Sequence, residues 1–176
     1  MVILVDMDNV IADFDGYIVE KMFKENPDIS LEDRSNFHIR YDFPKELEES
    51  IKKIYLAKGF FESLNPLPDS LDALEYMQQK IGDIFICTSP ITQNPYCLQE
   101  KSDWINRKLG PAWVKKTIMT KDKTIIHGDI LIDDKPSISG LRKPTWEHIL
   151  YDQPYNRDVS DKKRLNWTNF KDVLNI

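Results

Sequence analysis

Two aspartates separated by a single residue follow the first apolar run of the sequence. Asp6 and Asp8 lie in the segment DMDNV, directly after the apolar residues Val2–Val5. A carboxylate at a strand end can attack phosphorus and form an aspartyl phosphate, which divides hydrolysis into two easier steps. A second carboxylate can protonate the leaving oxygen and later take a proton from water. The pair therefore predicts phosphoryl chemistry with Asp6 as nucleophile and Asp8 as acid and base, although two such aspartates alone are also typical of a turn.

A second acidic pair, Asp133 and Asp134, closes the apolar run Ile130–Ile132. Adjacent carboxylates at a buried strand end are costly unless a cation shares them. Mg²⁺ prefers oxygen ligands and retains several waters. We therefore predict a Mg²⁺ site made by Asp6, this pair and Asp8, with Asp134 as the direct ligand of the pair and Asp8 giving its main-chain carbonyl. Taken alone, the pair fits a solvated turn equally well.

Groups suited to holding a phosphate lie between the two acidic pairs. Thr88 and Ser89 follow the apolar run Ile84–Cys87, and their hydroxyl and backbone N–H groups can donate to phosphate oxygens. A lysine is also needed to offset the charge of the nucleophile and the phosphate. The candidates are Lys123 first, Lys101 second, and then Lys121 and Lys135.

Short apolar runs precede each of these clusters, and their composition predicts a buried parallel sheet. Runs rich in Ile and Val that are apolar on both faces are typical of such strands. Between these runs, apolar residues recur at helical spacing. Alternating strands and helices indicate a doubly wound α/β fold of the Rossmann type. Ligands of such folds bind beyond the carboxyl ends of the strands. The predicted strands are Val2–Val5, Ile84–Cys87, Ile130–Ile132 and His148–Tyr151, with Thr117–Met119 as a weaker fifth; the predicted helices are Ser70–Ile81, Gln99–Leu109 and Asn169–Leu174.

The segment from about Gly16 to Pro66 interrupts this alternation. It contains helical patterns at Tyr17–Lys24 and Lys45–Ala57. We predict a small helical cap at residues 16–66, inserted after the first strand of a core formed by residues 1–15 and 67–176. Aromatic residues that lie close together more often form a small core than a slot for a ligand. The cap holds such a cluster at Phe37, His38, Tyr41 and Phe43.

Composition limits the partners and the compartment. The chain has 176 residues, with 24 lysines and arginines against 29 aspartates and glutamates, so its formal charge is −5. A mildly acidic chain has no broad field for a nucleic acid polymer. Two cysteines give no disulfide framework. The apolar stretch at the N-terminus is too short, and too soon followed by acidic residues, for a signal peptide. No segment reaches the about 20 apolar residues needed to span a bilayer. We expect a cytoplasmic protein that binds a small molecule; the oligomeric state is open, a homodimer included.

In their order along the chain, DMDNV, TS, a lysine and DD resemble the motifs of the haloacid-dehalogenase superfamily of phosphatases. The finer resemblance is to the 5′(3′)-deoxyribonucleotidases, and it extends over most of the chain, including the predicted cap. The segments that carry it are DMDNVIADF (6–14), LEDRSNFHI (31–39), AKGFFESLNPLP (57–68), FICTSPI (85–91), TKDKTIIHGDILIDDKP (120–136) and PTWEHILYD (144–152).

The resemblance implies a Rossmann-like core with a small helical cap, Mg²⁺ dependence, and removal of phosphate from deoxyribonucleoside monophosphates. It gives Asp6 and Asp8 the roles predicted above, assigns Thr88 and Lys123 to phosphate, and assigns Asp134 to metal. Where this family commonly has Trp in animals, the chain has His38 and Tyr55; it also has Lys135 in place of Arg and Asn9 in place of Gly. These departures bear on base preference more than on chemistry. The positions that match the substrate pocket are Phe14, Phe37, His38, Ile39, Tyr55 and Phe61.

Three other interpretations compete with this one. A receiver-type signalling domain also gathers acids, a hydroxyl and a lysine at one sheet edge, but it is shorter and has no helical insert. A phosphatase of a sugar phosphate or another small phosphomonoester would use the same motifs. A binding protein without activity would not need the complete motif set.

Overall fold

A parallel sheet forms the centre of the protein, in a computed structural model that describes residues 1–23 and 30–176. In the described residues its strands are β1 (Ile3–Val5), β2 (Ile84–Thr88), β3 (Thr117–Met119), β4 (Ile130–Asp133), β5 (Glu147–Tyr151) and β6 (Arg164–Leu165). Their order across the sheet is β3–β2–β1–β4–β5–β6, and every neighbouring pair is parallel. All five predicted strands are present, and β6 is an additional strand that no apolar run in the sequence predicts.

Helices connect and cover these strands. They are α1 (Phe14–Phe23), α2 (Glu48–Leu56), α3 (Ser70–Ile81), α4 (Cys97–Leu109), α5 (Pro111–Val114) and α6 (Phe170–Leu174), with short 3₁₀ helices at Ile39–Asp42, Lys45–Leu47, Phe61–Ser63, Lys123–Ile125 and Pro154–Asn156. The predicted parallel α/β fold class is confirmed. The predicted helix Ser70–Ile81 is present with the same bounds, whereas α4 begins two residues before its predicted start.

The apolar spacing of these helices explains how they pack. In α3, Ala73 and Leu74 are buried, and Met77 is buried four and three residues after them, so one helix face covers the sheet. In α4, Trp104 and Ile105 are fully buried. Gly110 ends α4 with a φ of 93° and donates its N–H to the carbonyls of Ile105 and Asn106, which is the helix end expected for glycine.

The strand order places a switch in direction at β1. From β1 the chain moves to β2 and β3 on one side, and later to β4, β5 and β6 on the other. Such a switch opens a crevice at the carboxyl ends of the two central strands. Because β1 pairs with β4 in the register Val5 to Ile132, the residues that follow both strands meet in that crevice.

The segment that follows β1 leaves the sheet and returns to it at adjacent points. Ala12 forms an antiparallel bridge with Pro66. The Asp13 N–H donates to the Asn65 carbonyl at 2.8 Å, and the Leu67 N–H donates to the Ile11 carbonyl at 2.9 Å. Between these points lie α1, α2 and three of the 3₁₀ helices.

The division into a core and a cap at residues 16–66 stays a prediction. Helix α1 begins at Phe14 and therefore crosses the predicted boundary. Lys24, the last residue of one predicted helix, lies outside the described residues. The other predicted helix, Lys45–Ala57, is a 3₁₀ turn at Lys45–Leu47 followed by α2.

Among the described helices, none has both the length and the apolar composition required to cross a membrane.

Candidate active site

The loop after β1 turns the two aspartates of DMDNV toward the crevice. The Asp6 N–H continues the sheet by donating to the Ile132 carbonyl at 2.9 Å. The Met7 carbonyl then accepts the N–H groups of Ile11 and Ala12, both at 2.9 Å, which closes a tight turn. Asn9 has a φ of 57° within this turn, a left-handed conformation that asparagine tolerates better than most residues other than glycine.

Three carboxylates meet where β1 and β4 end. Asp6, Asp133 and Asp134 each offer an oxygen, and these oxygens lie within 4.8 Å of one another. Lys123 Nζ lies between two of these groups, at 2.6 Å from Asp6 Oδ1 and 2.6 Å from Asp133 Oδ2. One ammonium can balance only one of the three carboxylates when they are ionised, so the cluster offers the charge and the oxygen donors that suit a divalent cation.

Burial and charge set the protonation of this cluster. Burial raises the pKa of Asp6, and it raises the pKa of Asp134 well above its usual value, with the Asp133 charge adding to the effect. Burial also opposes the charge on Lys123, but the Asp133 and Asp6 carboxylates still hold the pKa of this amine above its usual value. Lys123 is therefore a fixed positive charge at neutral pH.

The two members of the second acidic pair have different partners. Asp133 uses both oxygens inside the protein, because Oδ2 faces Lys123 and Oδ1 accepts the Lys135 N–H at 2.9 Å. Asp134 Oδ2 accepts from the Tyr155 hydroxyl. Its Oδ1 accepts no hydrogen bond from the described residues, so Asp134 is the member of the pair with an oxygen available to a cation.

Asp8 is linked to a lysine that is distant in sequence. Lys101 is completely buried, and its Nζ donates to Asp8 Oδ2 at 2.7 Å and to Thr88 Oγ1 at 2.8 Å. Burial raises the pKa of Asp8, and the Lys101 charge acts in the opposite direction. Asp8 Oδ1 is buried and has no hydrogen-bond partner among the described residues. A carboxylate in this environment retains a proton to higher pH than an exposed one.

A cavity of about 530 Å³ lies over these groups. Its floor contains Asp6, Asp8, Lys123 and the acidic pair, and its walls contain Ser89, Lys121 and Lys135. Five of the six predicted substrate-binding residues line it: Phe14, Phe37, His38, Ile39 and Tyr55. The sixth, Phe61, is fully buried behind Phe14 at 6.2 Å between ring centroids. Thr88 and Lys101, both predicted to bind phosphate, are likewise fully buried and do not line the cavity.

Several cavity residues were not predicted from the sequence. Arg40 Nη1 donates to the Tyr55 hydroxyl at 3.3 Å and its Nη2 to the Tyr41 hydroxyl at 2.8 Å. Arg40 lies in the 3₁₀ helix Ile39–Asp42, and no sequence motif marks a single arginine there, or isolated loop residues, as part of a cavity wall. The others are Asn9, Asp15, Pro90, Ile91, Thr92, Gln93, Ile138 and Ser139.

A cysteine nucleophile does not fit this site. Burial raises the pKa of Cys87 to about 12, so the thiol stays protonated at neutral pH and is a poor nucleophile. The carboxylates remain the groups able to attack an electrophile here.

Comparison with known families gives a match over the full chain. The family described as 5′ nucleotidase, deoxy (pyrimidine), cytosolic type C protein matches residues 1–176. The chain belongs to this family. The predicted family and the predicted enzyme class, a phosphoric monoester hydrolase of the 5′-nucleotidase type, are confirmed, and they disfavour both a receiver domain and a silent binding protein.

Individual relatives cover the chain almost completely. A predicted 5′(3′)-deoxyribonucleotidase of Bordetella bronchiseptica is 43% identical over 177 residues, which cover 99% of this chain and 95% of that protein. The human 5′(3′)-deoxyribonucleotidase of the cytosolic type is 37% identical over 185 residues, which cover 98% of this chain and 92% of that protein.

Among solved structures, a predicted haloacid dehalogenase-like hydrolase from Burkholderia xenovorans matches with a TM-score of 0.52 at 14% identity, covering 97% of this chain and 94% of that one. At this identity the likeness shows the fold alone, and it agrees with the fold class predicted from the sequence.

Proposed function

We propose that this enzyme is a Mg²⁺-dependent 5′(3′)-deoxyribonucleotidase that works through an aspartyl phosphate on Asp6. The observation that carries the proposal is the meeting of Asp6, Lys123 and the acidic pair on the floor of a cavity whose walls contain aromatic residues. The activity in the names of the relatives supports the choice of substrate. The proposed compartment is the cytoplasm.

In the first step, an Asp6 oxygen attacks phosphorus while the ester P–O bond breaks. The leaving alkoxide takes the proton held by Asp8, so that the deoxyribonucleoside departs as a neutral alcohol. The raised pKa of Asp8 supports its role as the acid. Lys123, at 2.6 Å from Asp6, offsets the charge that collects around the phosphoryl group.

In the second step, the Asp8 carboxylate takes a proton from a water whose oxygen attacks the same phosphorus. The bond between Asp6 and phosphorus breaks, which releases orthophosphate and restores both aspartates. Ser89 on the cavity wall is suited to donate to the phosphoryl oxygens. Thr88 and Lys101, which lie behind the wall, would assist by fixing Asp8.

The oxygen donors at the floor fit Mg²⁺. Asp6 and Asp134 would hold the ion together with the Asp8 carbonyl, and Asp133 would stay bound to Lys123. When bound, Mg²⁺ would neutralise the carboxylates and polarise a phosphoryl oxygen.

Phosphate release from a panel of substrates tests the function. With Mg²⁺, we expect deoxyribonucleoside monophosphates to be hydrolysed faster than sugar phosphates, and exhaustive chelation should stop the reaction until Mg²⁺ is added back. Equal rates across the panel would return the assignment to a general small-molecule phosphatase. Activity that survives chelation would contradict the metal assignment.

Selection among substrates is assigned to the residues above the floor, because phosphate and metal are common to every phosphomonoester. Phe14, Phe37 and Tyr55 offer ring faces to a base and apolar surface to a sugar. An apolar wall beside the 2′ carbon would bury a ribose hydroxyl without a partner, which costs about 1–3 kcal/mol, or roughly ten- to hundredfold in selectivity. The proposed preference for deoxyribose follows from that cost.

Tyr55→Ala and Phe37→Ala are expected to raise the KM for deoxynucleotides about tenfold or more, because each loses a stacking surface worth roughly 1–3 kcal/mol per base. A small aryl phosphate, which does not reach these rings, should keep its KM. Steady-state kinetics with both substrates on each variant make the comparison. A parallel change for both substrates would show that the rings serve only to pack the protein.

A further inference from the structure

A buried arginine joins the loop at residues 34–42, here called the substrate loop, to helix α1. The Arg34 side chain is only 2% exposed and forms ion pairs with Asp15 of α1 and, at 3.0 Å, with Asp42. Its Nη2 donates to the carbonyls of Asn36 (2.6 Å) and Phe37 (3.1 Å). A guanidinium with this many charged and carbonyl partners holds a fixed position, which a lysine could not reproduce.

The substrate loop is also closed on itself through Asp42. Asp42 Oδ1 accepts the backbone N–H groups of Ser35 at 3.1 Å and Asn36 at 2.9 Å. Phe37, which lines the cavity, therefore lies in a segment whose backbone is held at both the arginine and the aspartate. The position of Phe37 depends on the position of Arg34.

The other face of Arg34 rests on a tyrosine of the core. The guanidinium carbon lies 4.3 Å from the centroid of the Tyr155 ring, and Phe37 meets the same ring edge to face at 5.9 Å. The Tyr155 hydroxyl donates to Asp134 Oδ2. Asn156, the next residue, donates its Nδ2 to the Asp134 carbonyl at 2.7 Å. Tyr155 thus contacts the substrate loop on one side and the acidic pair on the other.

Partners of this kind orient the ligands of metal ions and alter metal affinity without touching the metal. The Tyr155 hydroxyl donates to Asp134 Oδ2 and so fixes the orientation of the carboxylate, which leaves Oδ1 available to a cation. We propose that Tyr155 is a positioning residue that holds Asp134 for the divalent cation, and that Arg34 holds Tyr155 and the substrate loop together. This inference rests on the proposed function for the identity of the cation and the substrate.

Mg²⁺ affinity of the substrate-free enzyme, measured by calorimetry, tests the inference. Tyr155→Phe keeps the ring but removes the hydroxyl, and it should weaken Mg²⁺ binding about 10- to 100-fold. Tyr151→Phe is the matched control, because Tyr151 is a buried tyrosine that packs on Trp167 and makes no hydrogen bond to Asp134. An unchanged affinity in Tyr155→Phe, or an equal loss in the control, would overturn the role of the hydroxyl.

Arg34→Lys tests the second half of the inference. It should weaken Mg²⁺ binding less than Tyr155→Phe does, and the double variant should bind Mg²⁺ no more weakly than Tyr155→Phe alone, because Arg34 acts through the tyrosine. If Arg34→Lys does not fold, Asp42→Asn is measured instead, because it removes one charged partner of Arg34. Additive losses, or wild-type affinity in Arg34→Lys, would contradict the link.

At saturating Mg²⁺, the KM for a deoxynucleotide separates the two residues. It should rise several-fold in Arg34→Lys, which releases the Asn36 and Phe37 carbonyls, and stay near the wild-type value in Tyr155→Phe. A KM that rises equally in both variants would contradict this division. If the wild-type enzyme binds no Mg²⁺, the proposed function fails first; if it binds Mg²⁺ and the variants do not differ, only this inference fails.

Discussion

Asp6→Asn is expected to lower phosphate release from deoxynucleotides by on the order of 10⁴-fold or more, because an amide cannot attack phosphorus. The fold should survive the change. Burial raises the pKa of Asp6, which means that the charged form is disfavoured at this position, and a neutral amide removes that penalty. Lys123 keeps its second partner, Asp133, at 2.6 Å. We therefore expect a thermal midpoint no lower than that of the wild type.

The matched control is Asp13→Asn, the same substitution in the neighbouring turn. Asp13 is half-buried and accepts the Gly16 N–H at 3.0 Å, a bond that the asparagine oxygen can also accept. Its turnover should stay close to wild type. Mass spectrometry of the Asp6→Asn protein must exclude deamidation, and substantial turnover in a verified sample would refute the nucleophile assignment.

Asp8→Asn is expected to reduce turnover of deoxynucleotides by about 10²–10⁴-fold, the usual contribution of general acid–base catalysis. Both steps lose a group, since the amide neither protonates the leaving alkoxide nor takes a proton from water. The Lys101 ammonium at 2.7 Å from Asp8 can still donate to the amide oxygen, so the side chain should keep its place. The loss should therefore fall on kcat more than on KM.

An aryl phosphate provides the internal control for Asp8. Its leaving group needs little protonation, so the first step should suffer less than with a nucleotide. Comparing kcat for both substrates in the same variant separates a chemical loss from a general one. Equal losses would argue that Asp8 has a structural role and not the role of an acid.

The sequence was most informative where local pattern determines structure. Continuous apolar runs are enough to predict buried parallel strands, and the rule that ligands bind at their carboxyl ends brings Asp6 and Asp134 together. Helix α3 was predicted with its bounds because its apolar spacing is regular. Strand β6 was missed because two residues, Arg164 and Leu165, carry no periodicity.

Most of the features that could not be predicted from the sequence depend on contacts between residues that are distant in the chain. Lys101 and Asp8 are 93 positions apart, and nothing in either segment specifies their pairing. Arg34 lies in a polar segment that looks solvated, yet its side chain is only 2% exposed. Burial of a charge depends on which elements close over it, and that is decided by the whole fold.

The hydrogen bonds that join Asp13 to Asn65 and Leu67 to Ile11 mean that the strand β1 and the helix α3 meet almost as they would across a short turn. Because the two ends are already held together, a change in the length of the chain between them alters the free energy of loop closure only slightly. The segment between these points can therefore become longer or shorter, or change the residues that line the cavity, while the carboxylates keep their positions. On the proposed assignment of substrate selection to this segment, selectivity can diverge while the chemistry is retained, provided that the contact between Arg34 and Tyr155 is kept.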